Sequence, residues 1–297
     1  MPNIKHIIPI SGKDSLTTAL VQIYRQPEIS YSFFFNDTGC ELPPTYEWLE
    51  RVEEKTGWKI QRIGFNLESL INKYGGFLPS RNARYCTSKA KIQPMEKEIK
   101  LGKPDSVFIY YGLIRADENR TGYVPIASSV IKPVYPLQEM GIDLQGVWAI
   151  LDAQDLRPPT FFWYRLYEAV NKNLEFLGDW ESQASLLPWE RHTLFAGRTR
   201  GGNCYFCFFQ RIYEYVWLYE TYPALFYKAL SFEKTDYSWR SDYRMSEFED
   251  ADFREHHFQK RVRQICKLII ERVQGKFLYE TGDNEISLKS CGLLCGK

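Results

Sequence analysis

The chain has 297 residues, with 38 basic against 37 acidic, so its overall charge demands no polyanionic partner, although a local basic groove would vanish in that sum. Its 20 Tyr, 19 Phe and 8 Trp suit a packed globular protein and exclude a disordered one. No apolar run approaches the ~20 residues of a membrane span, and Met1-Pro2-Asn3-Ile4-Lys5 lacks a signal peptide's apolar core. We therefore expect a cytoplasmic protein with no membrane contact. Its 7 cysteines then read as ligands, nucleophiles or buried thiols rather than disulfides.

The apolar run His6 to Ile10 predicts a first strand, in which Pro9 has no N–H for the ladder and should take the last position. Ser11-Gly12-Lys13-Asp14-Ser15 follows as a polar turn, and Leu16, Ala19, Leu20 and Ile23 then recur at helical spacing. Strand, tight turn and helix together aim backbone N–H groups and the positive end of a helix dipole at one point, which suits a phosphate. Gly12 would let a ligand approach the backbone, and Ser11, Lys13 and Ser15 add donors. Asp14 suits orientation of the loop or a magnesium ion rather than direct phosphate contact. The turn is not a Walker sequence, and taken alone it fits a capped helix start with Asp14 or Ser15 as N-cap equally well.

Tyr31 to Asn36 predicts a buried strand ending in the turn Asp37-Thr38-Gly39. Pro43 and Pro44 open a helix with Trp48, Leu49 and Val52 on its apolar face, and Gly57 ends it. Trp58 to Phe65 reads as a strand, Asn66 to Lys73 as a short helix, and Ser80 to Lys91 as a basic loop holding Arg81, Arg84, Cys86, Lys89 and Lys91. A helix over Ile92 to Lys100 and a strand over Val107 to Tyr111 lead into Gly112 and the charged run Arg115 to Arg120. Ile131 to Leu137 is a further candidate strand, interrupted by Pro133 and Pro136. This alternation predicts an α/β fold, a parallel twisted sheet with helices on both faces, whose ligands bind beyond the carboxyl ends of the strands. The loop at Ser11, the turn at Asp37 and the segment from Gly112 all fall at such ends.

Beyond residue 150 the pattern becomes mainly helical, with helices expected over 161–177, 208–222, 223–232 and 253–273. The last would turn Val262, Ile265 and Ile269 inward and Lys260, Arg261, Arg263 and Lys267 outward. We therefore expect a nucleotide-binding α/β domain over 1–150 and a helical domain over 151–297. The second carries two close cysteine pairs, Cys204 with Cys207 and Cys291 with Cys295. Four such thiolates can hold a tetrahedral zinc or a 4Fe-4S cluster. Buried or reactive thiols without a metal are the alternative, Cys86 could replace one member of the set, and Cys40 and Cys266 read as core or loop thiols.

These motifs resemble the phosphoadenylylsulfate reductase branch of the PP-loop ATP pyrophosphatases. Ser11 to Ser15 resembles the family's SGGKDS loop, and Asp37-Thr38-Gly39 with Glu41 and Pro43-Pro44-Thr45-Tyr46 resembles its DTG block. Arg84-Tyr85-Cys86-Thr87 followed by Lys91-Ile92-Gln93-Pro94 resembles its R-x-C-T…K-I-x-P block. Gly112 to Arg120 resembles its G-x-R-x-x-E-S-x-R block, and Pro136-Leu137 with Val147-Trp148 resembles the segment that closes the domain. Gly202-Asn203-Cys204-Tyr205-Phe206-Cys207 resembles the G-C-x-x-C segment of metal-bearing members. The chain departs from the pattern at Ile10-Ser11-Gly12, where the family has Ser-Gly-Gly, and at Asn119, where it has serine.

The resemblance implies cleavage of ATP between its α- and β-phosphates, with adenylation of an acceptor and release of pyrophosphate. Ser11, Gly12, Lys13, Asp14 and Ser15 would hold the phosphates with Mg2+, and Asp37 and Thr38 would meet the nucleoside. Arg84, Gly112, Arg115 and Arg120 complete the nucleotide site, with Lys13, Asp14, Arg115 and Cys86 as the catalytic set. Cysteines on an adenylating enzyme imply sulfur transfer, with Cys86 or Cys291 as carrier. DNA phosphorothioation enzymes of the Dnd and Ssp types share this core, which implies a cysteine desulfurase and DNA as partners; a homodimer is compatible. Two other readings stay open: an assimilatory-type reductase of phosphoadenylylsulfate or adenylylsulfate with Cys291 as nucleophile, and a non-catalytic adenine-nucleotide-binding subunit.

Overall fold

The structure, a computed structural model, describes residues 3–101, 106–119, 122, 130–158, 204–235 and 237–260. The described residues fall into two compact units, one of 3–75 and 83–158 and one of 76–82 and 204–260.

In the first unit β1 (Asn3–Pro9), β2 (Tyr31–Asn36), β3 (Ile60–Ile63), β4 (Ser106–Tyr111) and β5 (Ile131–Val134) form one sheet in the order β3-β2-β1-β4-β5. Every pairing is parallel, with Ile8 opposite Phe33 and Ile7 opposite Tyr110. Pro9 closes β1, where no ladder donor is required of it. Pro133 is tolerated because β5 is an edge strand.

Alternate residues of each strand face opposite ways, and both faces are covered, as the apolar runs require. On one face Ile8, Ile10, Phe33, Phe35 and Tyr111 pack with Leu16 and Ala19 of α1 (Lys13–Arg25) and with Trp48, Leu49 and Val52 of α2 (Pro43–Thr56). Val147 and Leu151 of α7 (Leu144–Ala153) complete that layer. On the other face Ile7, Phe34, Ile63, Phe108 and Tyr110 meet Met95 and Ile99 of α5 (Gln93–Lys100).

The elements follow the sequence pattern with informative exceptions. α2 opens on its prolines and ends at Gly57, and α3 (Leu67–Lys73) is capped by Asn66, whose side chain accepts from the Ser69 N–H. The strand expected over Trp58 to Phe65 shortens to Ile60–Ile63. The stretch from Tyr85 to Ile92, expected as loop, is helical: a turn of α4 (Tyr85–Thr87) and a π-helical segment (Ser88–Ile92) lead straight into α5. Its lysines and arginine hid a helix whose buried side is only Cys86, Thr87 and Ala90. α6 (Pro136–Glu139) takes the end of the expected fourth strand, because Pro136 starts a helical turn. α7, which the sequence reading did not separate out, is capped by the Asp143 side chain.

The second unit holds α8 (Ile212–Thr221) and α9 (Pro223–Leu230), divided by Pro223 as expected, then a 3-10 turn over Met245–Glu249 and helical residues 251–260. Phe226, Tyr215 and Phe248 form its centre. The helix expected over 161–177, the continuation beyond residue 260, and Cys266, Cys291, Cys295 and Arg120 lie outside the described residues. No helix among the described residues is long and apolar enough to cross a membrane.

Candidate functional site

The strand order places the site. The chain leaves β1 toward β2 and leaves β4 toward β5, in opposite directions across the sheet, so a crevice opens beyond the carboxyl ends of these neighbours. The loop at Ser11 closes β1, and the segment from Gly112 closes β4. They meet. Arg115 Nη1 lies 3.3 Å from Asp14 Oδ1, and the Thr18 hydroxyl bonds to the Asp14 carbonyl at 2.9 Å and the Gly112 carbonyl at 3.4 Å.

Asp14 also receives Lys13, whose Nζ lies 2.7 and 2.9 Å from its two carboxylate oxygens. Arg115 is gripped from behind: Nε and Nη2 donate to Asp117 at 2.9 and 3.0 Å, and its backbone N–H donates to Glu118 at 3.1 Å. Lys13 is 9% and Arg115 3% exposed, and the Trp148 ring centroid lies 5.9 Å from the lysine nitrogen. Two buried cations thus come together at the crevice from the ends of adjacent strands. The sequence named both; the roles of Asp117, Glu118 and Trp148 needed the fold.

The loop itself is braced by Ser15. Its hydroxyl accepts from the Ser11 and Gly12 N–H groups at 2.8 and 2.9 Å and donates to the Gly12 carbonyl at 2.8 Å. The phosphate donor expected at Ser15 is therefore engaged in holding the turn. Gly12 has an extended backbone, and a Cβ built there meets nothing within 4 Å. Among the described residues nothing requires glycine at this position, so the space beside it is open to a ligand. Gly112 is the opposite case: an added Cβ would lie 2.3 Å from the Tyr135 ring, so glycine is what lets β4 end against that ring.

The turn after β2 is built as tightly. Asp37 Oδ1 accepts from the Gly39 N–H at 2.7 Å and the Tyr46 hydroxyl at 2.8 Å. Burial, then the Asp37 carboxylate, push the Tyr46 hydroxyl far up, so it stays a donor. Thr38 donates to Glu41 at 3.0 Å, and Lys91 approaches Glu41 at 4.0 Å, tying the π-helical segment to this turn. Gly64 admits the Asp37 carbonyl, which would be 2.1 Å from a Cβ there. Beside the turn, Asn36 is 1% exposed, and neither its side-chain oxygen nor its nitrogen has a hydrogen-bond partner among the described residues. The sequence offered no sign of this, because an asparagine ending a strand usually finds a backbone partner. Arg84 donates to the Thr87 hydroxyl at 3.3 Å, and Cys86 beside it is buried.

In the second unit, Cys204 and Cys207 share one turn, with the Cys207 N–H bonded to the Cys204 carbonyl at 3.4 Å. Tyr205 and Phe206 between them are buried, Phe206 stacking on Trp239 at 4.5 Å, and both cysteines are half-exposed. Gln210 Nε2 and the Tyr215 hydroxyl secure the two cysteine carbonyls at 2.9 and 3.0 Å. Such a turn suits two ligands of a tetrahedral metal. Among the described residues no group of three or more His, Cys, Asp or Glu could hold a metal, and Cys291 and Cys295, expected as the second pair, lie outside them. For magnesium the expected group is the Asp14 carboxylate, but both its oxygens accept from Lys13 and Oδ1 also lies 3.3 Å from Arg115 Nη1, so it could meet an ion only on leaving these cations.

A doubly wound α/β protein with cations gathered at its switch point is the class that fold and crevice define. The phosphoadenosine phosphosulfate reductase domain matches residues 5–162, and the chain belongs to that family, whose domain serves sulfur metabolism. It is 33% identical over 103 residues to an uncharacterized protein of Methanocaldococcus jannaschii, covering 34% of this chain and 21% of the relative. It is 37% identical over 68 residues to adenosine 5'-phosphosulfate reductase 2 of Bacillus subtilis, covering 22% of this chain and 29% of the relative. The chain thus spans less than a third of the length of these relatives. The phosphoadenylyl-sulfate reductase of Candida auris, solved as a phosphate complex, superposes with a TM-score of 0.39 at 18% identity, over 52% of this chain and 74% of that one.

Proposed function

We propose that the crevice binds the polyphosphate of ATP and that the protein is an ATP pyrophosphatase, adenylating an acceptor with release of pyrophosphate in a sulfur-transfer pathway. The observation that carries this reading is the convergence of buried Lys13 and Arg115 on one point at the ends of β1 and β4. Both cations are paired with carboxylates of the protein, and a polyphosphate entering there would be met by both at once. Negative charge builds on the β-phosphate as the bond to the α-phosphate breaks. Lys13 and Arg115 would balance it, and the family resemblance adds Arg84 and Arg120 to that task. Ser11, Gly12 and Ser15 shape the loop, Asp37 and Thr38 face the nucleoside, and Gly112 lets β4 end close to the ligand. Magnesium, when bound with the substrate, adds a charge that draws electrons from the leaving group.

In this reading Cys86 carries sulfur from a cysteine desulfurase, the acceptor is a DNA phosphate, and Cys204 and Cys207 are ligands of zinc or an iron–sulfur cluster. The second reading is reduction of a sulfonucleotide with Cys291 as nucleophile, favoured by the similarity to the Bacillus subtilis reductase. Product analysis separates them. Pyrophosphate released from ATP, and lost in Lys13→Met, supports the first. Sulfite released from phosphoadenylylsulfate or adenylylsulfate, and lost in Cys291→Ser, replaces it with the second. Tight ATP binding with no product under either regime leaves a nucleotide-binding subunit.

A further inference from the structure

Lys13 and Arg115 already hold an anion, and it belongs to the protein. Asp14 lies between them, at 2.7 and 2.9 Å from the lysine nitrogen and 3.3 Å from Nη1 of the arginine. We propose that the Asp14 carboxylate is an internal stand-in for the ligand's phosphate: it keeps the two cations paired while the crevice is empty, and a phosphate enters by displacing it. The inference rests on the nucleotide-binding reading above and says how that site opens.

Three features support displacement of Asp14 rather than of its neighbours. Arg115 is fixed by others: the fork of Asp117 occupies its far edge, and Glu118 holds its backbone N–H and lies 3.6 Å from Nη1. It therefore stays in place when Asp14 leaves. Asp14 stands at the start of α1, where its own carbonyl is secured by the Thr18 hydroxyl, so its side chain can rotate with no change of backbone. Its side chain is also more open to solvent than those of either cation, at 20% against 11% for Lys13 and 3% for Arg115. Formal charges point the same way. Among the described residues, Lys13 and Arg115 supply two positive charges against the three carboxylates of Asp14, Asp117 and Glu118. A free polyanion therefore meets a cluster that is already overcompensated, and it gains both cations only when the carboxylate steps aside.

The test is calorimetric titration of the full-length protein with inorganic pyrophosphate and, separately, with ATP, in chelator and free of divalent metal. Asp14→Asn keeps the shape and removes the charge; Asp14→Ser is the second variant should the first not fold. Either variant is expected to bind pyrophosphate on the order of 10-fold more tightly than the wild type, the gain expected from removing one like charge at contact range. Lys13→Met should weaken it. Equal or weaker binding by both folded Asp14 variants overturns the proposal while leaving the site's assignment intact, provided the wild type binds ATP. Absence of both ATP and pyrophosphate binding in the wild type and the variants overturns the proposal and the nucleotide-binding reading together.

Discussion

Arg115 and Asp14 stand 101 positions apart in the chain and 3.3 Å apart in the crevice, the one closing β4 and the other opening α1. That contact pins the two sides of the switch point to each other. Arg115 is buried against Asp117 and Glu118 as well, so removing it strands carboxylates that were folded around it. We expect Arg115→Ala to lower the free energy of unfolding by about 3 kcal/mol, in the range for breaking a buried pair. Arg115→Lys should recover part of this, since a single ammonium cannot match the two-pronged grip on Asp117. Urea unfolding of the three proteins decides it. A loss below about 1 kcal/mol in the alanine variant would mean that solvent already screens the cluster.

Two glycines at the crevice should respond oppositely. Gly112→Ala drives a methyl to 2.3 Å from the Tyr135 ring and is expected to cost about 1–3 kcal/mol, with Tyr135→Ala restoring part of the loss. Gly12→Ala meets nothing within 4 Å and should cost less than about 1 kcal/mol, the size of an N-cap effect. Its penalty should appear instead in nucleotide affinity, because the new methyl occupies space left for a ligand. Thermal melts with and without ATP measure both quantities, and a Gly12→Ala variant with unchanged affinity would place the phosphates elsewhere.

How much of this was readable beforehand follows from the range of each interaction. Strands β1, β2 and β4 were legible because buried parallel strands are short unbroken apolar runs, and the stop at Pro9 follows from its missing N–H. The helix from Tyr85 was not, because Arg84, Lys89 and Lys91 crowd a segment that buries only a narrow stripe. Lys13 and Arg115 could be singled out from their positions after strands. Their meeting on Asp14 depends on strand order, which no local pattern encodes. The engagement of Ser15 was equally hidden, since its hydroxyl could serve the backbone or a ligand and only the turn's geometry selects the former.

The turn at Cys204 and Cys207 makes a prediction about content. Its aromatic residues are anchored inward, so the turn should persist when a thiol is changed. We expect anaerobically purified protein to contain zinc, or iron with sulfide, and Cys204→Ser and Cys207→Ser each to lose most of it. Elemental analysis and the visible absorbance spectrum report this directly. Unchanged metal content in both variants would exclude these residues as ligands.

On the first face of the sheet, His6 Nδ1 lies 2.7 Å from the Tyr111 hydroxyl, with the Tyr31 ring edge-on at 5.8 Å. Burial lowers the His6 pKa below its ordinary 6.5. In acid the unfolded chain therefore takes up this proton before the folded one does, and stability rises with pH across that interval. His6 should contribute its full share above pH 6.5 and lose it progressively as pH falls toward the folded-state value. His6→Gln should flatten the pH dependence of the melting temperature in that window. An unchanged slope would show that other groups set it.

Asn36 gives the sharpest separation of stability from binding. Its amide is buried at the end of β2, with no hydrogen-bond partner among the described residues for either polar atom, beside the turn of Asp37 and Thr38. A buried unsatisfied amide costs free energy of order 1–3 kcal/mol, and an apolar side chain of similar shape removes that cost. Asn36→Leu should therefore melt at or above the wild-type temperature without ligand. If the amide earns its place by meeting the nucleoside, the same variant should show a smaller ATP-induced rise in melting temperature, because that rise reports affinity. A less stable Asn36→Leu would reveal a partner within the folded chain, and a full ATP-induced rise would remove Asn36 from the nucleotide site.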